Sequence, residues 1–259
     1  KITDIPKMEN AEVADLMARF EPLVKHFNRY LTIGGFPELA LSDDDLYAQR
    51  MLREDVVDKV IKRDVLTLFK VRSPLLMEKL FLYLCMNSTE IFSATTAAKE
   101  LDNISPNTIE SYVDALVKSN LIYMAYPIAV GSKSVLKGRP KIYIADAAIR
   151  NAVLMVDDVL SDERELGLLI ETTVYKHLVS FYQGTGAQLG YYRKAKENQK
   201  EVDAVIENKK KKILCEVKYK NNSHIPQTDG IVELCNDPKA VITDAFVITT
   251  QLEDFGVTR

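Results

Sequence analysis

A segment near the C-terminus constrains the fold of this chain more than any other feature. Residues 201–220 read EVDAVIENKKKKILCEVKYK, so two β-forming runs flank a lysine-rich connection. This pattern is typical of a β-hairpin. With a loop at 208–211, Asp203 would pair with Glu216 across the two strands.

The predicted hairpin has one charged face. Side chains alternate along a strand, so Asp203, Glu216 and Lys218 share a face. The opposite face would be apolar and would hold Val202, Ala204, Ile206, Ile213, Cys215 and Val217. Facing carboxylates repel each other unless a cation lies between them, and Mg²⁺ is commonly bound by one or two carboxylates. A solvent-exposed sheet face with a soluble lysine loop would show the same pattern, so both interpretations stay open.

The hairpin belongs to a longer α/β stretch, residues 146–259. A helix is predicted at 166–181, and its buried side would hold Ile170, Val174, Leu178 and Phe181. Strands are predicted at 189–192, 202–207, 213–219 and 245–249, with a helix near 230–235. The sequence therefore predicts a mixed β-sheet flanked by helices.

The middle part, residues 73–145, is predicted to be a winged helix-turn-helix domain. Helices begin at Ser73-Pro74, at Ala94 and at Ser105-Pro106. At the first of these, Ser73 is the expected cap and Pro74 suits the first turn. Two strand-like runs, LIYMAYPIAV and KIYIAD, follow the third helix and form the predicted wing hairpin. The wing would hold Lys133, Lys137, Arg139 and Lys141.

The third helix of this unit is the candidate reader of a DNA major groove. Its predicted exposed positions are Asn107, Thr108, Ser111, Tyr112 and Lys118. They include a single cation, whereas phosphate anchoring usually uses several. Base reading and protein docking therefore both remain open for this helix.

Residues 1–72 are predicted to form a helical lead-in. A long helix is expected at 46–69, because its apolar residues recur at helical spacing. Gly34-Gly35, followed closely by Pro37, favours a tight turn over a phosphate-binding loop. The fold class expected for the whole chain is α/β, or α+β overall.

Composition limits the partners of the chain. Its net charge of −3 means that any nucleic-acid surface must be local, and the candidate residues are Lys133, Lys137, Arg139, Lys194 and Lys196. Three cysteines without metal-ligand spacing suggest reduced thiols and a cytoplasmic protein. The sequence predicts no membrane span, and a start without Met or a signal pattern suggests a piece of a longer protein.

The order of acidic residues resembles the PD-(D/E)xK nuclease superfamily. Glu171 precedes the hairpin on a helix, and Asp203 is followed by Glu216-x-Lys218. The resemblance implies a restriction-endonuclease-like domain with Glu171, Asp203 and Glu216 as Mg²⁺ ligands. It also implies Asp203, Glu216 and Lys218 as catalytic residues, with Lys218 orienting the attacking water. Val202 replaces the Pro that precedes the Asp in the superfamily pattern.

A wider set of segments resembles the C-terminal region of prokaryotic AAA-type P-loop ATPases. These segments are GGFPE at 34–38, Arg63-Asp64, SPNT at 105–108, KIYIAD at 141–146, YYRKAKENQKEVDAVI at 191–206 and ILCEVKYK at 213–220. The resemblance implies that an ATPase domain precedes this region. The chain has no G-x-x-x-x-G-K-[ST] loop, so ATP would bind only through that missing N-terminal domain.

Two functions follow as expectations. The first is a DNA-associated module of an AAA-type ATPase with a Mg²⁺-dependent, nuclease-like phosphodiesterase site. The second is a catalytically inactive nuclease-fold and winged-helix module that mediates protein interaction or assembly with the ATPase domain. The expected partners are DNA, the ATPase domain and further copies in an oligomer.

Overall fold

A computed structural model gives the fold, and it describes residues 8–69, 71–129, 138–156, 158–194, 200–208, 211–219, 225–226 and 228–250. The architecture is mixed α/β: 54% of the described residues are helical, and helices flank a six-stranded mixed sheet. The predicted fold class is therefore confirmed.

The N-terminal part is helical. It contains α1 (Asn10–Phe20), a 3-10 turn (Glu21–Leu23), α2 (Val24–Ile33), α3 (Pro37–Ala40), α4 (Asp45–Arg53), a π-helical segment (Glu54–Val65) and α5 (Leu66–Leu68). The last three elements follow one another without a break and correspond to the long helix predicted at 46–69. Asp44 caps α4, because its carboxylate accepts a hydrogen bond from the N–H of Tyr47 at 2.9 Å.

The turn between α2 and α3 is tightly packed. Gly34 has a φ of +78°, a conformation that side chains with a Cβ rarely adopt. A Cβ at this position would lie 2.9 Å from Cβ of Ala148 and 3.0 Å from Oδ1 of Asp146. This close packing supports the tight-turn interpretation of the Gly-Gly pair.

Three helices and a β-hairpin follow in the predicted order. They are α6 (Pro74–Met86), α7 (Ala94–Glu100), α8 (Pro106–Lys118), β1 (Ile122–Pro127) and β2 (Lys141–Ile144). Ser73 and Ser93 cap α6 and α7 through their hydroxyl oxygens, as the sequence indicates for Ser73. The core of this unit contains Met77, Leu80, Ile109, Leu116 and Ile122.

The sequence patterns missed one helix, α9 (Ala147–Leu154). Seven consecutive residues of α9, 147–153, are buried, so this part of the helix has no solvent-exposed face to produce an amphipathic signal. Its one arginine is compensated: Arg150 donates to the carbonyl oxygen of Cys85 at 3.0 Å and to Oε2 of Glu165 at 2.6 Å.

The C-terminal part completes the sheet. Its elements are α10 (Glu163–Tyr182), β3 (Gln188–Arg193), β4 (Glu201–Asn208), β5 (Lys211–Lys218), α11 (Gly230–Asn236) and β6 (Asp244–Thr249). The strand order is β2-β1-β3-β4-β5-β6, in which β1–β3 and β5–β6 are parallel and the other pairs are antiparallel. The hairpin of the middle part and the C-terminal strands thus share one sheet.

The prediction that Phe181 faces the core is wrong. Its side chain is 76% exposed, and it contacts the ring of Tyr182 edge-on. The buried residues of α10 lie earlier, between Leu169 and Tyr175, because the last turn of the helix is largely exposed.

None of the helices in the described ranges combines the length and the apolar character needed to span a membrane.

Candidate active site

The hairpin has the register that the sequence predicts. Val205 pairs with Leu214 and Glu207 with Lys212. Asn208 also pairs with Lys211, so the connection is shorter than the predicted loop. The same register brings the part of β4 that holds Asp203 next to the part of β5 that holds Glu216.

A bulge in β4 changes which way its side chains point. Gly190 of β3 pairs with Val205 and Tyr192 pairs with Val202, so two steps along β3 match three steps along β4. Asp203 lies in this bulge. Bulges often occur beside functional sites because they re-aim a side chain without ending the sheet.

The bulge contradicts the prediction of one uniformly apolar face. Val202 packs in a cluster with Val205 and Leu214, whereas Ala204 packs in another cluster with Cys215. Strict alternation would place Val202 and Ala204 on the same side. The extra residue of the bulge in β4 interrupts this alternation, so Val202 and Ala204 pack in different clusters.

Asp203, Glu216 and Lys218, the predicted catalytic residues, lie together. The backbone N–H of Asp203 points to Oε2 of Glu216 at 3.4 Å, and Oδ2 of Asp203 accepts a hydrogen bond from the N–H of Val217 at 2.9 Å. The ammonium of Lys218 forms ion pairs with Glu216 and, at 3.4 Å, with Oδ2 of Asp229. Glu216 is 4% exposed, so this cluster is largely shielded from water.

Glu171 of α10 lies on the other side of Asp203 and has partners of its own. Its Oε1 accepts hydrogen bonds from the hydroxyl of Tyr143 at 2.8 Å and from Nζ of Lys141 at 3.2 Å. The same Nζ forms an ion pair with Glu201 and lies 3.7 Å from Oδ1 of Asp203. An ammonium group therefore lies among three carboxylates.

The prediction that Lys141 contributes to an exposed wing is wrong. Its side chain is 5% exposed, because β2 directs it into the acidic cluster. The available sequence signal was the run KIYIAD: Lys141 stands two residues from the buried Tyr143 and so shares its face of the strand.

The two glutamates have strongly raised pKa values. Burial and the neighbouring Asp203 carboxylate raise the pKa of Glu171 to about 7, against the opposing effects of Lys141 and Tyr143. Burial and Asp203 likewise raise the pKa of Glu216 to about 7, although Lys218 lowers it. Burial alone would lower the pKa of Lys141, but Glu171, Asp203 and Glu201 reverse this effect and raise it. After burial, the Asp203 carboxylate is the largest cause of both raised pKa values.

The described residues do not gather three carboxylates around one ion. In the part of the chain that the structure describes, no three His, Cys, Asp or Glu side chains gather closely enough to bind one ion. Mg²⁺ is usually held by only one or two carboxylates, with water and phosphate oxygens as the other ligands. Asp203 and Glu216 are the candidates for such a pair, because the N–H of Asp203 lies 3.4 Å from Oε2 of Glu216. Glu216 is paired with Lys218, and Glu171 is held by Lys141 and Tyr143.

The predicted nucleic-acid-binding residues are described only in part. Lys133, Lys137 and Lys196 lie outside the described residues. Arg139 is exposed, and Lys194 forms an ion pair with Glu233, as does Lys200 at 2.6 Å. Hydrogen bonds from these two lysines lower the pKa of Glu233 to about 2.

The exposed face of α8 is poorly suited to phosphate. Tyr112, predicted to be exposed, is 6% exposed, and its hydroxyl oxygen accepts a hydrogen bond from the N–H of Ser73 at 3.0 Å. Glu110 and Asp114 are exposed instead, and Lys118 pairs with Asp114 at 2.6 Å. Acidic side chains on this face oppose binding to a polyanion.

Two family matches cover most of the chain. Residues 24–160, more than half of its length, match the family described as "Domain of unknown function (DUF8612)". The chain belongs to this family. Residues 166–259, which include the acidic cluster, match a second family, "Domain of unknown function (DUF4143)".

The curated relatives are two proteins of Methanocaldococcus jannaschii. The chain is 30% identical over 172 residues to "Uncharacterized protein MJ1637", a match covering 65% of the chain and 35% of that protein. It is 25% identical over 160 residues to "Uncharacterized protein MJ1544", covering 60% of the chain and 34% of that protein. The match thus spans about a third of each relative's length. No solved structure matches the chain.

Proposed function

We propose that this chain is a DNA-associated module with a Mg²⁺-dependent phosphodiesterase site formed by Asp203, Glu216 and Lys218. The observation that carries the proposal is the approach of Asp203 to Glu216 across neighbouring strands, with Lys218 paired to Glu216. Oxygen ligands of this kind suit Mg²⁺. When bound, the ion would offset the negative charge of a phosphodiester and activate water for its hydrolysis.

Each residue of the proposed site has a distinct role. Asp203 and Glu216 hold the ion, and the N–H of Val217 fixes the orientation of the Asp203 carboxylate through its hydrogen bond. Lys218 places a positive charge beside the pair, where it can donate hydrogen bonds to a phosphate oxygen or to water. Burial of Glu216 strengthens these interactions, because water screens charges less in a buried site.

The parent protein in this proposal is an AAA-type ATPase. Its support is the resemblance of segments 34–38, 141–146 and 191–206 to the C-terminal region of such proteins. The match covers only about a third of each Methanocaldococcus jannaschii relative, so the remaining two thirds are long enough to contain a P-loop domain. ATP binding and hydrolysis would belong to that domain.

A DNA-cleavage assay with the whole chain tests the proposed phosphodiesterase activity. Plasmid and single-stranded DNA are incubated with the wild-type chain in Mg²⁺, in Mn²⁺ and in EDTA. Cleavage is expected only with a divalent cation. Glu216→Ala and Lys218→Ala should each lower the rate at least about a hundredfold, the usual effect of removing a group that acts on a transition state.

Lys239→Ala is the matched control, because Lys239 is an exposed lysine outside the acidic cluster. It should cleave at the wild-type rate. Cleavage that persists in both Glu216→Ala and Lys218→Ala would contradict the assignment of the site.

A second candidate function is a catalytically inactive module that docks on the ATPase domain. An exposed apolar stripe on α1, the 3-10 turn and α2 favours it, and its members are Met17, Phe20, Leu23, Val24 and Phe27, each 37–54% exposed. Contiguous apolar surface often marks an interaction site. Under this function, Phe20→Ser and Leu23→Ser would weaken binding to the separately produced P-loop domain at least tenfold, and no DNA would be cleaved.

A further inference from the structure

Lys141 is a buried cation at the centre of the acidic site. Its side chain is 5% exposed. Its Nζ lies 3.2 Å from Oε1 of Glu171 and 3.7 Å from Oδ1 of Asp203, and it also forms an ion pair with Glu201. The ring of Tyr191 lies beneath it, with its centroid 5.8 Å from Nζ.

We propose that Lys141 is a positioning residue that acts as the internal counter-ion of this site. It holds Glu171 in an ion pair and so keeps this glutamate out of the metal-ligand set. The divalent cation is left to Asp203 and Glu216 alone. This inference rests on the proposed function for the identity of the metal site, but it also predicts the behaviour of the metal-free protein.

The contacts of Glu171 support this role. Its Oε1 accepts two hydrogen bonds, from Tyr143 and from Lys141, which hold the carboxylate against these two residues. Removing one partner from a buried ion pair is strongly destabilising because the other charge stays buried and unpaired. Glu171 therefore cannot easily leave Lys141 to join the metal ion.

The position of the second lysine fits the same arrangement. Lys218 contacts Glu216 and Asp229, and Lys141 contacts Glu171 and Glu201. Asp203 has contacts with both groups: its Oδ1 lies 3.7 Å from Nζ of Lys141, and its N–H lies 3.4 Å from Oε2 of Glu216. After burial, its charge is the largest cause that raises the pKa of Glu171 and of Glu216. Each end of the cluster thus has one ammonium group that pairs with its carboxylates, and Asp203 contacts both ends.

Mn²⁺ binding to Glu171→Gln is the first test, measured by isothermal titration calorimetry on the whole chain. Gln keeps an oxygen acceptor for Tyr143 and is close to Glu in shape. The dissociation constant should stay within about threefold of wild type, since Glu171 is not a ligand. A loss of affinity of tenfold or more, as expected on losing a direct ligand, would overturn the inference.

Thermal unfolding of Lys141→Met is the second test, and it does not depend on metal binding by the wild-type chain. The substitution removes the positive charge that faces Glu171, Glu201 and Asp203. The melting temperature should therefore fall by about 5–10 °C. Mn²⁺ should restore at least about half of that fall by replacing the missing positive charge.

Lys79→Met is the matched control, because Lys79 forms an exposed ion pair with Asp102 at 2.8 Å. Its melting temperature should stay within about 2 °C of wild type, with no response to Mn²⁺ beyond that of wild type. A Lys141→Met protein as stable as wild type, or one that Mn²⁺ does not stabilise, would overturn the role of Lys141.

A double variant keeps the inference testable if Lys141→Met does not fold. Lys141→Met combined with Glu171→Gln removes the cation together with one of its acids. It should fold and should recover part of the lost melting temperature, because the two sites are coupled. A double variant that is no more stable than Lys141→Met would show that the two residues are not a functional pair. Wild-type protein that binds no Mn²⁺, with these stability results intact, would refute the metal site and leave the role of Lys141 standing.

Discussion

The backbone N–H of Asp203 lies 3.4 Å from Oε2 of Glu216, so two acidic residues of neighbouring strands meet at the bulge in β4. The carboxylate of Asp203 is turned to the N–H of Val217 on the same neighbouring strand. This arrangement puts a negative charge near both Glu216 and Glu171. Asp203 is therefore the electrostatic centre of the site.

Replacement of Asp203 by Asn should lower the pKa of both glutamates. The Asp203 carboxylate helps to raise the pKa of Glu171 and of Glu216, and an amide removes that charge while keeping the shape of the side chain. Carboxyl-carbon NMR titration would measure both values. Asp244→Asn, at an exposed position of β6, is the control and should change neither. Unchanged pKa values in Asp203→Asn would contradict this effect of the Asp203 charge.

The affinity for divalent cations should rise with pH. Glu216 has a raised pKa of about 7, so its carboxyl is mostly protonated at pH 6 and mostly ionised at pH 8. A proton and a metal ion compete for the same oxygen atoms, so Mn²⁺ affinity should increase about tenfold between these pH values. Calorimetric titrations at each pH would measure it.

Glu233→Gln provides the control for that pH dependence. The pKa of Glu233 is lowered to about 2, so this residue stays ionised across the whole range. Its substitution should leave the tenfold increase unchanged. An affinity that is constant from pH 6 to pH 8 in the wild-type chain would argue that Glu216 does not bind the ion.

Tyr143→Phe should destabilise the chain by about 1–3 kcal/mol, because it removes one of the two hydrogen bonds to Oε1 of Glu171 and leaves Lys141 as the remaining donor. The ring is kept and can still stack on Tyr175, whose centroid is 4.0 Å away. Urea unfolding would measure the change in the free energy of unfolding. Tyr47→Phe, at a position that is 52% exposed, should change stability by less than about 0.5 kcal/mol. Equal stability of Tyr143→Phe and wild type would mean that the hydrogen bond contributes little.

Gly34→Ala and Gly167→Ala should change stability in opposite directions. At Gly34 the φ of +78° and the contact of 2.9 Å with Ala148 predict a loss of about 1–3 kcal/mol. At Gly167, within α10, a Cβ meets nothing within 4 Å, so Ala should stabilise the helix by about 0.5–1 kcal/mol. Urea unfolding of both variants would test the pair, and a Gly34→Ala protein as stable as wild type would contradict the tight turn.

The hairpin register could be predicted from sequence because it depends on local information. Two β-forming runs and one short polar connection leave few ways to pair, and Val205 does lie opposite Leu214. The proximity of Asp203 and Glu216 follows from that register. The bulge could not be predicted, because it is defined by pairing with Gly190 and Tyr192 of β3, a strand outside the hairpin.

The role of Lys141 was hidden for a similar reason. Its local sequence is that of a lysine at the start of a strand near a basic connection, which normally indicates an exposed residue. Burial results from α10 and β4, which bring Glu171 and Glu201 to its ammonium group. The helix α9 was missed because it is buried on all sides, and no periodic pattern marks such a helix.

The most direct test of the metal site is calorimetric titration of Mn²⁺ into the wild-type chain and into Glu216→Gln at pH 8. The arrangement of Asp203 and Glu216 predicts about one ion per wild-type chain and an affinity at least tenfold weaker in Glu216→Gln, which loses a charged ligand. Equal affinity in the two proteins, or no binding to the wild-type chain, would contradict it.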